Sequence, residues 1–170
     1  MQSNESNLQF SGGCQCGAVR YSFKGPLGTT DVCHCRMCQK AFGSFGAVLV
    51  RVNNADFAWT RGEPETFKSS ALVDRGFCKN CGTPLFMYEK GDGFIDIAVG
   101  TLDNPNAVGS LQAQIGIESR VQWWNTITAL PEKTTEDLLT TEELKKYQSL
   151  QHPDYNTVVW PNLSTKKEQP

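Results

Sequence analysis

The seven cysteines of this chain fall in three tight clusters and nowhere else: Cys14-Gln-Cys16, Cys33-His-Cys35-Arg-Met-Cys38 and Cys78-Lys-Asn-Cys81. An odd number leaves one thiol over in any all-disulfide scheme, so clustered cysteines read as metal ligands. Seven divides into four and three. Four thiolates close a tetrahedral structural zinc site, whereas three leave a coordination position for an external molecule.

Cys14 and Cys16 are paired here with Cys78 and Cys81, because each pair runs at once into a glycine, Gly17 and Gly82. Glycine permits the positive φ that turns backbone N–H groups towards the sulfurs. Such a site clamps distant segments and contributes folding free energy on the order of 10 kcal/mol if it behaves as zinc-finger peptides do. Cys33, Cys35 and Cys38 remain, close enough for one short loop to wrap a single ion. The spacing favours an open three-thiolate site. The alternative is a second closed site completed by a His, Asp or Glu. His34 sits between two proposed ligands and converges poorly with both, and His152 lies far off in the tail. Thiolate-only sets favour zinc, with iron the other candidate.

Three thiolates on Zn²⁺ carry a net charge of −1. That makes a weak Lewis acid for water but a good holder of an external thiol, which coordination would deprotonate while leaving it electron-rich. The trio therefore points to carbon–sulfur chemistry, in which a thiolate attacks a carbonyl carbon or leaves a thiohemiacetal.

The rest of the chain reads as short strands. Val19, Tyr21 and Phe23 alternate with polar residues, and strands are predicted for Phe45 to Val52, around Phe57, Trp59 and Phe67, and for Leu85 to Tyr88 and Phe94 to Val99, while Arg75-Gly76-Phe77 carries the chain into the third cluster. Ile115 and Ile117 suggest one more. Glycine-rich turns between them make an all-β domain of short antiparallel strands the expected class. The one helix signal is late, where Thr140-Thr141-Glu142-Glu143 resembles a capping box followed by Leu144, Tyr147 and Leu150. A domain over 8–131 and a partly helical extension over 132–170 are expected.

The 16 basic and 18 acidic residues leave a formal charge of −2, which argues against a duplex-binding face, and no run of like charges exceeds two residues, as at Lys166-Lys167. No stretch is long and apolar enough to span a membrane, and the polar start does not resemble a secretory signal. A cytoplasmic protein is expected, with the sequons at Asn4 and Asn162 as chance matches. A homo-oligomer is left open.

Three stretches together resemble the glutathione-dependent formaldehyde-activating enzymes, the group that also contains centromere protein V. They are Gly12-Gly13-Cys14-Gln-Cys16-Gly17-Ala18-Val19-Arg20-Tyr21, Cys33-His34-Cys35-Arg36-Met37-Cys38-Gln39-Lys40, and Arg75-Gly76-Phe77-Cys78-Lys79-Asn80-Cys81-Gly82. The resemblance runs from about Leu8 to Pro131. It implies a β-tent type fold with two zinc ions, one structural on Cys14, Cys16, Cys78 and Cys81, one catalytic on Cys33, Cys35 and Cys38. The activity it implies is of the carbon–sulfur lyase class, joining formaldehyde to glutathione as S-hydroxymethylglutathione. Gln114-Ile115 stands where the family often carries His-Ile, and Glu132 stands where an aromatic is expected after Leu130-Pro131. Trp123-Trp124 fits the family's tryptophan positions.

Lys40 and Arg75 adjoin the clusters and are candidates for the carboxylates of a peptide thiol, or for charge balance against the thiolates. Trp59, Trp123 and Trp124 line a pocket or fill the core. Asp96 falls by alternation on the solvent face. Two readings from other classes stand beside the thiol–carbonyl enzyme: a zinc-stabilised binding module without catalysis, and a zinc lyase or hydrolase acting on another sulfur-bearing metabolite.

Overall fold

The computed structural model describes residues 8–147 and 149–160; Asn4, Asn162 and Lys166-Lys167 lie outside the described residues. Ten strands run in the order β1 (Gln9–Gly13), β2 (Arg20–Lys24), β3 (Thr30–Cys33), β4 (Ala47–Asn53), β5 (Phe57–Arg61), β6 (Glu65–Lys68), β7 (Val73–Phe77), β8 (Pro84–Glu89), β9 (Phe94–Ala98) and β10 (Ala113–Ile115). Three short helices join them: α1 (Arg36–Phe42) between β3 and β4, then α2 (Thr135–Leu138) and α3 (Thr141–Lys146) late in the chain.

The chain is mostly β. β1, β2 and β5 form a three-stranded sheet, and a seven-stranded sheet has the order β10-β3-β4-β9-β8-β7-β6. The expectation of wholly antiparallel strands needs one correction: β10 pairs with β3 in parallel, bringing Gln114 opposite Val32 and Ile115 opposite Cys33. A parallel neighbour needs a long crossover rather than a tight turn, and here residues 34–112 lie between the two strands.

Period-2 alternation divides the larger sheet into two faces. Val50, Val52, Ile95 and Ile97 join Tyr21, Phe23 and Leu85 in the main core between the sheets. The rings of Phe10, Tyr21, Phe23 and Phe57 stack through it and Trp59 meets Tyr21 and Phe57 edge to face, so Trp59 belongs to the core. Gly76 is needed there, because a Cβ at that position would sit 1.9 Å from the ring of buried Phe86 on the neighbouring strand. Ala47 and Leu49 face the other way and pack with Cys33, Cys38, Phe42 and Met87 in a smaller cluster under α1.

Asp96 does point away from the main core, between Ile95 and Ile97, but the expectation of a solvent face fails. It is 8% exposed and pairs across the sheet with Arg51 and Met87, on the face that carries α1. Burial pushes its carboxyl up against the pull of Arg51.

The late helix is present as α3, with Thr140 and Glu143 closing a reciprocal capping box. It is short: Tyr147 ends it, and Tyr147 and Leu150 are exposed. Beyond it the tail returns to the first cysteine turn. His152 N–H donates to the Gln15 carbonyl at 2.7 Å, and Trp160 Nε1 donates to the Cys16 carbonyl at 2.9 Å. Gly17, at φ 70°, lets His152 pack against it, since a Cβ there would come within 2.3 Å of the imidazole.

Candidate metal centre

The first cysteine pair lies in the turn between β1 and β2, the third in the turn between β7 and β8. The two turns meet, and the four sulfurs of Cys14, Cys16, Cys78 and Cys81 all lie within 4.8 Å of one another. Cys14 Sγ is 3.6 Å from Cys16 Sγ, and Cys16 Sγ is 3.8 Å from Cys78 Sγ. Disulfide bonding would need about 2.05 Å. A tetrahedral ion at about 2.3 Å from each sulfur sets its ligands roughly 3.8 Å apart. The spacing is that of thiolates arranged around a metal.

Gly17 and Gly82 take positive φ, 70° and 77°, and close the two turns through Gly17 N–H to Cys14 O at 3.0 Å and Gly82 N–H to Cys78 O at 2.8 Å. Val19 N–H then reaches Cys14 Sγ at 3.3 Å. Burial pushes the Cys14 thiol up. At Cys81 burial is outweighed by hydrogen bonds from Thr83 and Cys16, which bring the thiol down to about 6.

The second group forms around α1, a helix absent from the sequence expectation. Cys33 ends β3, Cys35 is the N-cap of α1 and accepts from Cys38 N–H at 3.4 Å, and Gly43 ends the helix in the left-handed region. The Cys-x-x-Cys spacing thus joins an N-cap to the third helical residue, which is the reach of a capping hydrogen bond. The three sulfurs lie within 4.8 Å of one another, and no fourth His, Cys, Asp or Glu joins them among the described residues. A hydrogen bond from Cys33 lowers the Cys38 thiol to about 5 with help from Arg75 and against burial, while Cys33 is pushed up.

His34 is fully buried and engaged elsewhere. Its Nε2 lies 3.1 Å from Oε1 of Gln114, which also accepts from Arg120 at 3.2 Å, so Nε2 carries the proton. The imidazole meets the edge of Trp124 at 4.6 Å between centroids, and Trp123 is exposed. Gln39, buried at α1, donates to the carbonyls of His34 at 2.7 Å and Ser119 at 2.8 Å, which ties the helix to the segment after β10.

The structure separates Lys40 from Arg75. Lys40 is exposed on α1 and, with Arg36 and Lys68, rims a cleft of about 440 Å³ floored by Met37, Ala41 and Phe67. Arg75 is 3% exposed on β7; its Nη2 donates to Cys38 Sγ at 3.3 Å and its Nε to Ser69 Oγ at 3.0 Å. Ser69 also lines the cleft, so the cleft, Arg75 and the trio are contiguous. Ser69 and Gln39 carried no readable signal in the sequence, since hydroxyl and amide side chains are ordinary residues until a fold gives them partners. A second, polar cleft of about 420 Å³ adjoins the four-cysteine group between Gln15, Thr83, Asp103 and His152.

The chain is mostly β and gathers its cysteines into two groups that could each hold a metal ion. The chain belongs to the family described as glutathione-dependent formaldehyde-activating enzyme, whose model matches residues 9–117. No curated protein matches it. A crystal structure of a Rhodobacter sphaeroides protein shares the fold, with a TM-score of 0.50 and 21% identity over 61% of this chain and 98% of that one.

Proposed function

We propose that the protein is a zinc-dependent enzyme of the carbon–sulfur lyase type, which joins glutathione or a related thiol to a small carbonyl compound such as formaldehyde, or releases it. The observation that carries this reading is the trio Cys33, Cys35 and Cys38, with Cys35 half-buried between two buried neighbours, three converging sulfurs and no fourth ligating side chain among the described residues. Cys14, Cys16, Cys78 and Cys81 would hold a structural zinc; the trio would hold the catalytic one. Zinc bound by the trio would supply a place where an external thiol loses its proton and stays nucleophilic.

The chain's own residues do the rest. The thiol hydrogen ends on the carbonyl oxygen as the S–C bond forms, so addition consumes nothing beyond the two reactants. Lys40, Arg36 and Lys68 offer three cations to the carboxylates of a peptide thiol, and Met37 and Phe67 offer apolar contact to its backbone stem. The domain over 8–131 carries this chemistry, and in the extension over 132–170 the described residues His152 and Trp160 cover the four-cysteine turn.

An NMR screen of thiol and aldehyde pairs tests the reading. Acceleration of adduct formation or breakdown over the spontaneous rate is expected for at least one pair, and its loss in Cys35→Ser. A non-catalytic binding module is favoured by one observation, the exposed Ile115, Ile117 and Trp123 near the trio; no acceleration with any pair would leave that reading standing instead.

A further inference from the structure

Arg75 is a buried cation without an acidic partner. No carboxylate lies within ion-pair distance of it among the described residues. Among the described residues its Nη2 donates to the sulfur of Cys38 at 3.3 Å, and its Nη1, also buried, has no hydrogen-bond partner. An unpaired buried guanidinium is costly, and an orphaned donor adds to the cost. The fold nonetheless fixes this side chain from two sides: Ser69 Oγ accepts from Nε, and Ser69 itself is held in the β6–β7 turn by its N–H to the Val73 carbonyl at 2.8 Å. Phe42 of α1 lies under the guanidinium, 5.9 Å from its carbon.

Resting on the reading of the trio as a zinc site, we propose that Arg75 is a positioning residue that makes the trio accept an anionic fourth ligand. The charge arithmetic supplies the reason. A divalent ion and three thiolates total −1, and the guanidinium beside them brings the buried unit to zero. An added thiolate then takes the unit to −1 rather than −2, which matters because each uncompensated charge is expensive away from water. The N–H···S bond also draws electron density from Cys38, so that sulfur competes less as a nucleophile and an incoming one competes more. The orphaned Nη1, held beside Nη2 in one rigid plane, is the donor left for the incoming anion. This differs from holding the carboxylates of a peptide thiol, which falls to the exposed cations of the neighbouring cleft.

The test uses full-length protein loaded with cobalt and 2-mercaptoethanol, a thiol without carboxylates, so that cleft recognition is not measured. Uptake is followed by the change in thiolate-to-cobalt charge-transfer absorption. Native protein is expected to show saturable uptake, and Arg75→Gln to bind roughly tenfold more weakly or worse, the usual cost of losing a hydrogen bond to a charged group. Arg75→Lys keeps the charge but not the fork, and is expected to stay within about threefold of native uptake. It also serves if the glutamine variant does not fold, because its trio in the zinc-loaded protein is expected to react several times faster with iodoacetamide, one point donor covering the sulfur less than the guanidinium. Equal uptake by native and Arg75→Gln overturns the inference, as does unchanged alkylation in Arg75→Lys. No uptake by native protein overturns the thiol–zinc reading beneath it instead.

Discussion

Nε2 of His34 donates to Oε1 of Gln114 across 3.1 Å, tying the residue between two cysteines of the trio to the edge strand that runs parallel to β3. The glutamine therefore acts on the support of the trio through His34 and hydrogen-bonds none of its sulfurs. Gln114→Ala should leave a buried imidazole donor unpaired at a cost of about 1–3 kcal/mol. For a chain of this length each kcal/mol moves Tm by about 2–4 °C. Thermal unfolding checks the first effect; zinc content at the trio should stay unchanged.

Arg20 and Asp103 form a bidentate pair, with Nη1 and Nη2 donating at 2.7 and 2.6 Å and Ser11 Oγ donating to the same carboxylate at 2.5 Å. Burial pushes the Asp103 carboxyl up, but these donors outweigh it and hold it below the usual carboxylate range. A depressed native pKa gives stability that is present above the unfolded pKa of about 3.9 and is lost as pH falls through the native value. Asp103→Asn leaves Arg20, whose side chain is 4% exposed, without its counter-ion. A loss of about 3–5 kcal/mol is expected at neutral pH. The gap in Tm between the two proteins should narrow as pH drops below about 4.

Gly76→Ala tests the close approach of β7 to β8. A methyl group 1.9 Å from the Phe86 ring forces that ring out of a packed core. A cost of about 1–3 kcal/mol is expected from overpacking, read by urea unfolding, with both metal sites still filled.

Ending the chain after Tyr147 removes the bonds from His152 to Gln15 and from Trp160 to Cys16. Two net hydrogen bonds of about 1 kcal/mol each correspond to a roughly 10- to 30-fold faster loss of the four-cysteine metal to a chelator. An unchanged rate would show that the tail does not protect the site.

Much of the site was legible in the sequence because ligand chemistry is local. Cys-x-Cys and Cys-x-x-Cys with a following glycine specify tight turns on their own, and alternation around Tyr21, Ile95 and Ile97 specified strands and the buried face. Helix α1 was not legible: seven residues, with Cys35 as cap, leave too short a period to stand out against the strands on either side. Nor was the parallel pairing of β10, which depends on where the long crossover returns. Asp96 obeyed alternation and was still misjudged, since alternation gives the side of a sheet and not what covers it. Arg75 was singled out as a neighbour of Cys78 in sequence, yet its contact is with Cys38, thirty-seven residues away.

The most direct measurement is a crystal structure of the zinc-loaded protein with anomalous data collected at the zinc edge. Two ions per chain are expected, one enclosed by Cys14, Cys16, Cys78 and Cys81, the other bound by Cys33, Cys35 and Cys38 with solvent or an added thiol completing its shell. A trio ion sealed by a fourth side chain, or no ion at the trio in metal-replete crystals, would contradict the account.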